Sequence, residues 1–329
     1  MKAALLVGPG KIVVDDVAEP EMGPADVRVA VGGVGLCGSD LSVFSGKWTA
    51  PYYPWVMGHE AFGIIDAVGE DVDRDRIGQT VVVEPNIACL ACHQCRRGWT
   101  SACVVRQSVG MNRQGALAER LVVPGRFAWP MSGTPEDLVC IEPSTVVVAA
   151  LRRLGTSLPP SGLVVGAGAQ GLLMSLALLD RGLEVHVHDV NADRVAFAAG
   201  FRARPVATDD TDPRFDLVVD TVGSPESVET ALERLRVGGT LLFLGLDSRP
   251  WELSAQMIVR RQLVLRGSLT YDHPADFETA IALVSGGAFS PGRILSGEYA
   301  LRDAQTAFDR SASAAGKTWI RVARDGERP

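Results

Sequence analysis

Gly166-Ala167-Gly168-Ala169-Gln170-Gly171 is the segment that most narrows what this chain can become. It follows the apolar run Leu163-Val164-Val165 and leads into a helix-like stretch from Gln170 to Arg181. A strand that turns sharply into a helix needs glycine in three places: where the backbone bends, where a ligand nears the main chain, and where helix meets strand. The free N–H groups of such a helix's first turn attract anions. The segment therefore predicts a pyrophosphate site built around Gly166, Gly168, Gln170 and Gly171.

The residues that follow extend the same pattern. Glu184 to Asp189 reads as a strand, and Asn191 to Ala199 as a helix with Asn191 as N-cap and Gly200 just past its end. Phe215 to Asp220 is strand-like and Glu226 to Leu235 helix-like, and Gly238-Gly239 turns into a strand over Thr240 to Leu244. Strands alternating with helices imply a parallel sheet covered on both faces. Asp189 ends the second strand, eighteen residues after Gly171. A carboxylate there accepts hydrogen bonds from ribose hydroxyls and repels a 2′-phosphate, which favours NAD over NADP. Arg194 is the nearby residue that would admit some NADP.

Residues before about Leu151 read differently. Val27-Arg28-Val29-Ala30-Val31 alternates as a half-buried strand does, and Val81 to Val83 and Leu121 to Val123 look like further strands. After about Ser268 come two helix-like pieces, Ala275 to Val284 and Arg302 to Arg310, and a strand-like Trp319 to Val322 that is expected to return to the first domain. The residues after Arg324 are expected to be disordered. At 329 residues two domains are anticipated. The net charge of −7 and the lack of any basic block argue against nucleic acid or an anionic membrane as partner. The apolar run Ala3 to Val7 is too short for an export signal, and no apolar stretch approaches the ~20 residues that span a bilayer. A cytoplasmic protein is expected.

Four of the six cysteines, Cys89, Cys92, Cys95 and Cys103, fall within fifteen residues. Four thiolates close a tetrahedral zinc shell and leave no place for substrate, so such a site is structural. An iron–sulfur cluster is the rival, but the bacterial ferredoxin run ends with a shorter spacing and a proline where this chain has Val104. A redox disulfide pair lacks the βαβ surroundings it would need, and His93 is expected to face solvent.

A second group is scattered: Cys37 in Cys37-Gly38-Ser39-Asp40, His59 and Glu60 in Gly58-His59-Glu60, and Glu142 in Ile141-Glu142-Pro143. Thiolate, imidazole and carboxylate are all zinc ligands, and three of them with a water make an open site. Taken singly, each is more often a core or surface residue.

Together these features resemble the zinc-containing medium-chain alcohol dehydrogenases over nearly the whole chain. Gly58-His59-Glu60 is followed by Gly63, Gly69 and Val72 at that family's spacings, and the cysteine run and glycine motif lie where the family has them. Glu142 before proline resembles the polyol, threonine and aminocyclitol branch. Cys37 to Ser42, with Gly46, Trp48 and Tyr53-Pro54, is similar to 2-deoxy-scyllo-inosamine dehydrogenases, and the Lys317-Thr318-Trp319 end agrees.

The resemblance implies an α/β protein. Its mostly-β, GroES-like catalytic domain would span 1–148 and 269–329, and its Rossmann domain with a doubly wound parallel sheet 149–268. It implies one catalytic and one structural zinc, and NAD. It also implies a homodimer or homotetramer, formed by pairing the strand near Leu241 to Leu244 across the interface. Zinc would act as Lewis acid on a secondary alcohol of a polyol, cyclitol or aminocyclitol, with hydride passing to the nicotinamide. Cys37, His59, Glu60 and Glu142 are its candidate ligands, the two glutamates either directly or through water. Ser39 would take the alcohol proton, and Asp40 would orient His59. Ser42 stands where many relatives have a histidine. It can pass a proton but cannot store one as charge. Cys140 is expected to be a buried small residue. Trp48, Tyr52, Tyr53 and Trp55 would line either a sugar-stacking or an apolar pocket. The competing functions are a carbonyl reductase of aryl or aliphatic ketones on the same fold, and a catalytically inert NAD-binding protein.

Overall fold

Alternating apolar residues turn most of the first third of the chain into sheet. The computed structural model describes residues 1–207 and 214–322. These form two units, Met1–Glu142 with Asp272–Pro329, and Pro143–Tyr271. The segment after Arg324 lies outside the described residues.

In the first unit, β1 (Lys2–Gly8) pairs with β2 (Lys11–Asp16) and β4 (Trp55–Val56). The larger sheet centres on β3 (Asp26–Gly35), where Val27, Val29 and Val31 point inward. β3 is antiparallel to β5 (Glu60–Val68), which continues to β6 (Thr80–Val83). A small lobe carries β7 (Asn86–Ile87), the short helix α2 (His93–Arg96) and β8 (Gln107–Ser108). The N-terminal half of β3 also pairs with β9 (Arg120–Pro124), and β10 (Ala128–Pro130) flanks β6. Between β3 and β4 lies α1 (Gly38–Phe44), and α3 (Pro135–Leu138) precedes the second unit.

That unit begins within α4 (Ile141–Leu154). Then follow β11 (Ser161–Val165), α5 (Ala169–Leu179), β12 (Glu184–His188), α6 (Ala192–Ala199), β13 (Arg204–Pro205) and β14 (Phe215–Asp220). It closes with α7 (Pro225–Arg234), β15 (Leu235–Phe243), α8 (Ala255–Arg261) and β16 (Val264–Gly267). The strands are parallel in the order β13-β12-β11-β14-β15-β16, the doubly wound arrangement whose direction reverses between β11 and β14. Asn191 caps α6 by accepting from the N–H groups of Asp193 and Arg194, and Gly200 follows the helix. Gly238-Gly239 does not precede the strand as a separate turn. It lies inside β15 as a bulge, where pairing jumps from Phe215↔Leu235 to Leu217↔Thr240.

One expectation is overturned here. The strand at Leu241 to Leu244 has no free side to offer a second subunit, because β14 occupies one side of β15 and β16 the other. Leu241 and Leu242 are buried. Among the described residues, the strand with one neighbour at this end of the sheet is β16.

The chain then re-enters the first unit through α9 (Ala275–Ser285), β17 (Leu295–Ala300), α10 (Ala304–Ser311) and β18 (Lys317–Arg321). β18 pairs antiparallel with the C-terminal end of β3, Trp319 opposite Gly35, so the tail completes the first sheet. No described helix is long and apolar enough to cross a membrane.

Candidate active site

The site begins where β3 ends. Cys37 has extended backbone (φ −98°, ψ 159°) and caps α1, whose third residue is Asp40. The Asp40 side chain turns back so that Oδ2 accepts from the Cys37 N–H at 3.0 Å, as an acidic residue at that helical position can. Its Oδ1 accepts from the Gly58 N–H at 3.1 Å and lies 3.2 Å from His59 Nδ1. One buried carboxylate thus clamps the loop bearing Cys37 to the segment bearing His59. With Nδ1 turned to Asp40, Nε2 is the ring nitrogen left to face a metal.

The electrostatics agree with that geometry. Burial alone would raise the Asp40 pKa. The His59 imidazole and the two backbone N–H groups outweigh it and hold the carboxyl below its usual range. Burial alone would lower the His59 pKa, yet Asp40, with Cys37 beside it, lifts it well above the ordinary histidine value.

Glu60 follows His59 at the start of β5. Ligand atoms of Cys37, His59 and Glu60 all lie within 4.8 Å of one another. One thiol, one imidazole and one carboxylate form a donor set that suits zinc. Glu60 Oε1 is buried without a hydrogen-bond partner, as an oxygen aimed at a cation would be. The Lys317 ammonium contacts Glu60 Oε2 and donates to the Leu36 carbonyl at 3.0 Å. Sequence reasoning gave Lys317 no role. Its signal was a lysine inside an otherwise inward-facing strand.

Other expected residues fall around this cluster. Glu142 is buried in the first turn of α4 but lies outside the set of mutually close ligand atoms. The Ser39 hydroxyl is 3.2 Å from Cys37 Sγ. The Ser42 hydroxyl donates to the Gly38 carbonyl of its own helix. Cys140 is fully buried, and burial pushes its thiol pKa far up. Trp55 is not a pocket-lining residue. It is 2% exposed, and its indole N–H donates to the Gly110 carbonyl. Tyr52 lies edge-on to Trp55, while Trp48, Tyr52 and Tyr53 are exposed.

The four-cysteine lobe is assembled locally. Cys89 and Cys95 sulfurs are 3.9 Å apart and those of Cys92 and Cys95 3.5 Å. A tetrahedron with zinc–sulfur bonds of about 2.3 Å has edges near 3.8 Å, so the four thiols fit the ion. Backbone N–H groups of Cys89 and Cys92 already point at the Cys103 and Cys89 sulfurs. His93 is exposed. The lobe's apolar core is small: Ala88, Cys95 and Cys103, with Leu90 and Cys92 against them. It is tied to the rest of its unit by Ser101, which donates to Asp272 Oδ1 through N–H and hydroxyl, and by Thr100, which accepts from the His273 N–H.

In the second unit the glycine turn sits at the carboxyl end of β11. Gly166 has φ +94°, and a methyl on Gly171 would lie 1.8 Å from the Gly166 carbonyl. A methyl on Gly168 would meet nothing within 4 Å, which leaves the open approach a pyrophosphate needs. Asp189 accepts from the Ala167 N–H at 2.7 Å and the Asn191 N–H at 2.8 Å, so its carboxylate is fixed beside the turn. Arg194 lies half-buried in the first turn of α6. The Gln170 amide donates to the Pro143 carbonyl. Asp220, which sequence reasoning passed over, is buried and accepts from the Val222 and Gly223 N–H groups and the Ser227 hydroxyl. It thereby holds the loop after β14, across the switch point from the glycine turn.

Comparison with known proteins gives matches along the chain. The alcohol dehydrogenase GroES-like domain family matches residues 23–133, and the zinc-binding dehydrogenase family matches residues 171–286. D-altritol 5-dehydrogenase of Agrobacterium fabrum is 32% identical, with 82% of this chain and 84% of that protein covered. Galactitol 1-phosphate 5-dehydrogenase of Escherichia coli K12 is also 32% identical, over 87% of this chain and 89% of that one. An alcohol dehydrogenase from Escherichia coli CFT073, solved with NADH, superposes with a TM-score of 0.90 at 26% identity, covering 98% of this chain and 99% of that structure.

Proposed function

Since this chain belongs to the zinc-binding alcohol dehydrogenase family, we propose that it uses NAD to oxidise a secondary hydroxyl on a polyol-like or cyclitol-like substrate. The observation that carries this reading is the convergence of Cys37, His59 and Glu60, backed by Asp40, in a chain whose second unit has a dinucleotide turn. The substrate class rests on the two sugar-alcohol dehydrogenases, each 32% identical.

When bound, zinc supplies a Lewis acid to the hydroxyl oxygen and NAD supplies the hydride acceptor. The protein's own groups do the rest. Cys37 and His59 hold the metal, with Glu60 or Glu142 able to join them. Asp40 fixes the His59 tautomer, so that Nε2 rather than Nδ1 is presented. The Ser39 hydroxyl accepts the alcohol proton and passes it on. Ser42 is a poor next carrier because its O–H is already given to Gly38. Water is then the natural outlet. Gly166, Gly168 and Gly171 admit the pyrophosphate, and Asp189 accepts from the ribose hydroxyls. Cys89, Cys92, Cys95 and Cys103 hold a second zinc that substitutes for the lobe's missing core.

The reading extends to a homodimer or homotetramer. Val264 is exposed on β16, whose outer side suits strand pairing with a second copy. Thiolate ligation of metal suits a reducing compartment, which favours the cytoplasm.

The test is a panel of polyols, cyclitols and aryl alcohols with NAD, followed by NADH formation alongside metal analysis. Turnover of hydroxyl-rich substrates is expected. Turnover confined to aryl or aliphatic ketones with NADH would replace the polyol reading with a carbonyl reductase.

A further inference from the structure

A cavity of about 430 Å³ lies in the first unit, apart from the chemistry described above. None of Cys37, His59, Glu60 and Glu142 lines it, and no residue of the glycine turn does. Its floor is apolar and almost wholly buried: Leu5 of β1, Val56 of β4, Ala118, and Leu121 of β9. Main-chain bonds fix these walls. The Ala4 N–H donates to the Leu117 carbonyl at 2.8 Å, the Glu119 N–H to the Lys2 carbonyl at 2.9 Å and the Gly115 N–H to the Val56 carbonyl at 2.8 Å. The hollow is therefore set by backbone, and its volume falls in the range of about 300–1,000 Å³ usual for small-molecule sites.

The polar residues on its wall differ in what they already bind. Arg120 is neutralised by Asp66 at 3.1 Å and Glu19 at 3.2 Å. Gln114 is engaged at both ends: Oε1 accepts from the Val56 N–H at 3.0 Å, and Nε2 donates to the Tyr52 hydroxyl oxygen at 2.8 Å. Arg113 is unlike them. Its half-buried guanidinium donates to Gln107 Oε1 at 3.2 Å and to the Val122 carbonyl at 3.1 Å, both neutral acceptors. Among the described residues no carboxylate forms an ion pair with it. A guanidinium has five N–H donors, so Arg113 keeps donors to spare and a charge without a counter-anion. The Tyr52 hydroxyl, having accepted from Gln114, keeps its own O–H to donate. Glu21 also lines the cavity, but it is exposed, where water screens its charge.

We propose that this cavity is a second binding site, for a monocarboxylate that carries an apolar chain or ring. The carboxylate takes hydrogen bonds from Arg113 and Tyr52 and supplies the counter-charge that Arg113 lacks. The apolar body covers Leu5, Val56, Ala118 and Leu121. A guanidinium–carboxylate pair is the strongest polar contact this wall can offer. A neutral ligand would enclose the guanidinium and leave it unpaired, which is costly. The site needs neither zinc nor NAD.

Calorimetric titration with sodium octanoate tests this, with octanamide as the uncharged control. Wild type should bind octanoate, and octanamide about tenfold or more weaker, as loss of a hydrogen-bonded charge predicts. Arg113→Gln should lose about tenfold or more in octanoate affinity and leave octanamide binding as it was. Ala18→Trp, which places an indole in the cavity from an exposed position on its wall, should abolish both. Both variants should oxidise alcohol with the kcat and KM of wild type, and Cys37→Ser should still bind octanoate. If Arg113→Gln folds poorly, Ala18→Trp carries the test alone. Octanoate binding that neither substitution changes, or none to wild type, would overturn the proposal. So would octanoate binding abolished by Cys37→Ser, since that puts the anion on the metal. Failure of the zinc reading would look different: inactive protein, free of metal, that still binds octanoate.

Discussion

The four thiols of the lobe come from one span of fifteen residues, whereas Cys37, His59 and Glu60 meet only after β3, α1 and β5 have packed. The lobe has almost no apolar core of its own, so its metal substitutes for packing. The other cluster is embedded in the sheet of the first unit, with Val34, Met57 and Phe62 buried around it in sequence, so packing places its ligands. A metal that builds its surroundings can be closed on four sulfurs. A metal placed by its surroundings can be left with a free position. The contrast predicts that the two sites fail differently.

The sharpest break is a crossed pair of substitutions. Cys37→Ser should cost turnover on the order of a thousandfold or more, the equivalent of several kcal/mol of lost Lewis-acid stabilisation. It should leave the melting temperature near that of wild type. Cys103→Ser should do the reverse in kind, lowering the melting temperature and halving zinc content while the folded fraction keeps its kcat. Calorimetry, metal analysis and steady-state rates on both variants check this. Equal loss of stability in the two would erase the distinction between the sites.

Next in size is Asp40→Asn. The asparagine can still accept from the Cys37 N–H but no longer stabilises an Nδ1–H on His59 as a carboxylate does. Loss of such a partner typically costs about 10–100-fold in metal affinity. Competitive chelator titration should show that loss at one zinc of the pair, the four-cysteine zinc being unaffected. Smaller again, and silent on both metals, is Asp189→Ala. Losing hydrogen bonds to a charged acceptor is worth about 1.5–3 kcal/mol. KM for NAD should rise about tenfold or more and discrimination against NADP should weaken. An unchanged cofactor preference would remove Asp189 from this role.

How much of this could be read in the sequence follows the same contrast. The cysteine run, the glycine turn and the alternation of strands and helices are local patterns, and each lies where the residues suggested. Asn191 caps its helix because a short polar side chain at that point has one good partner, the next turn's N–H groups. Features that depend on the packed sheet were harder to read. Lys317 is buried only because β18 pairs with β3, a long-range pairing that no local pattern announces. Trp55 reads as a pocket aromatic until its indole meets the Gly110 carbonyl. The pairing at Leu241 to Leu244 was implied by resemblance alone, and nothing local announces that β16 adds beyond that strand. Glu142 carries a zinc-like sequence context, yet the local pattern could not say whether its carboxylate joins the other three.

The smallest predicted effect concerns pH and has opposite signs at the two sites in metal-free protein. The His59 pKa is raised by Asp40 in the folded state. Its contribution to stability is therefore fully present below the unfolded value of about 6.5 and fades as pH rises through the folded value. Cys92 behaves the other way. Backbone N–H groups of Cys95 and Val104 lower its pKa to about 6, so its contribution is present above the unfolded thiol value and is lost as pH falls through 6. Zinc binding at His59 must displace the proton that Asp40 favours, so zinc affinity at that site should climb with pH and uptake should release protons. Metal-free Cys103→Ser leaves His59, Asp40 and Cys37 in place. Across pH 5.5 to about 8, the pH slope from His59 should survive in Cys103→Ser and vanish when His59→Ala is added. A slope untouched by His59→Ala would mean that the imidazole–carboxylate pair is not what holds the metal-free site together.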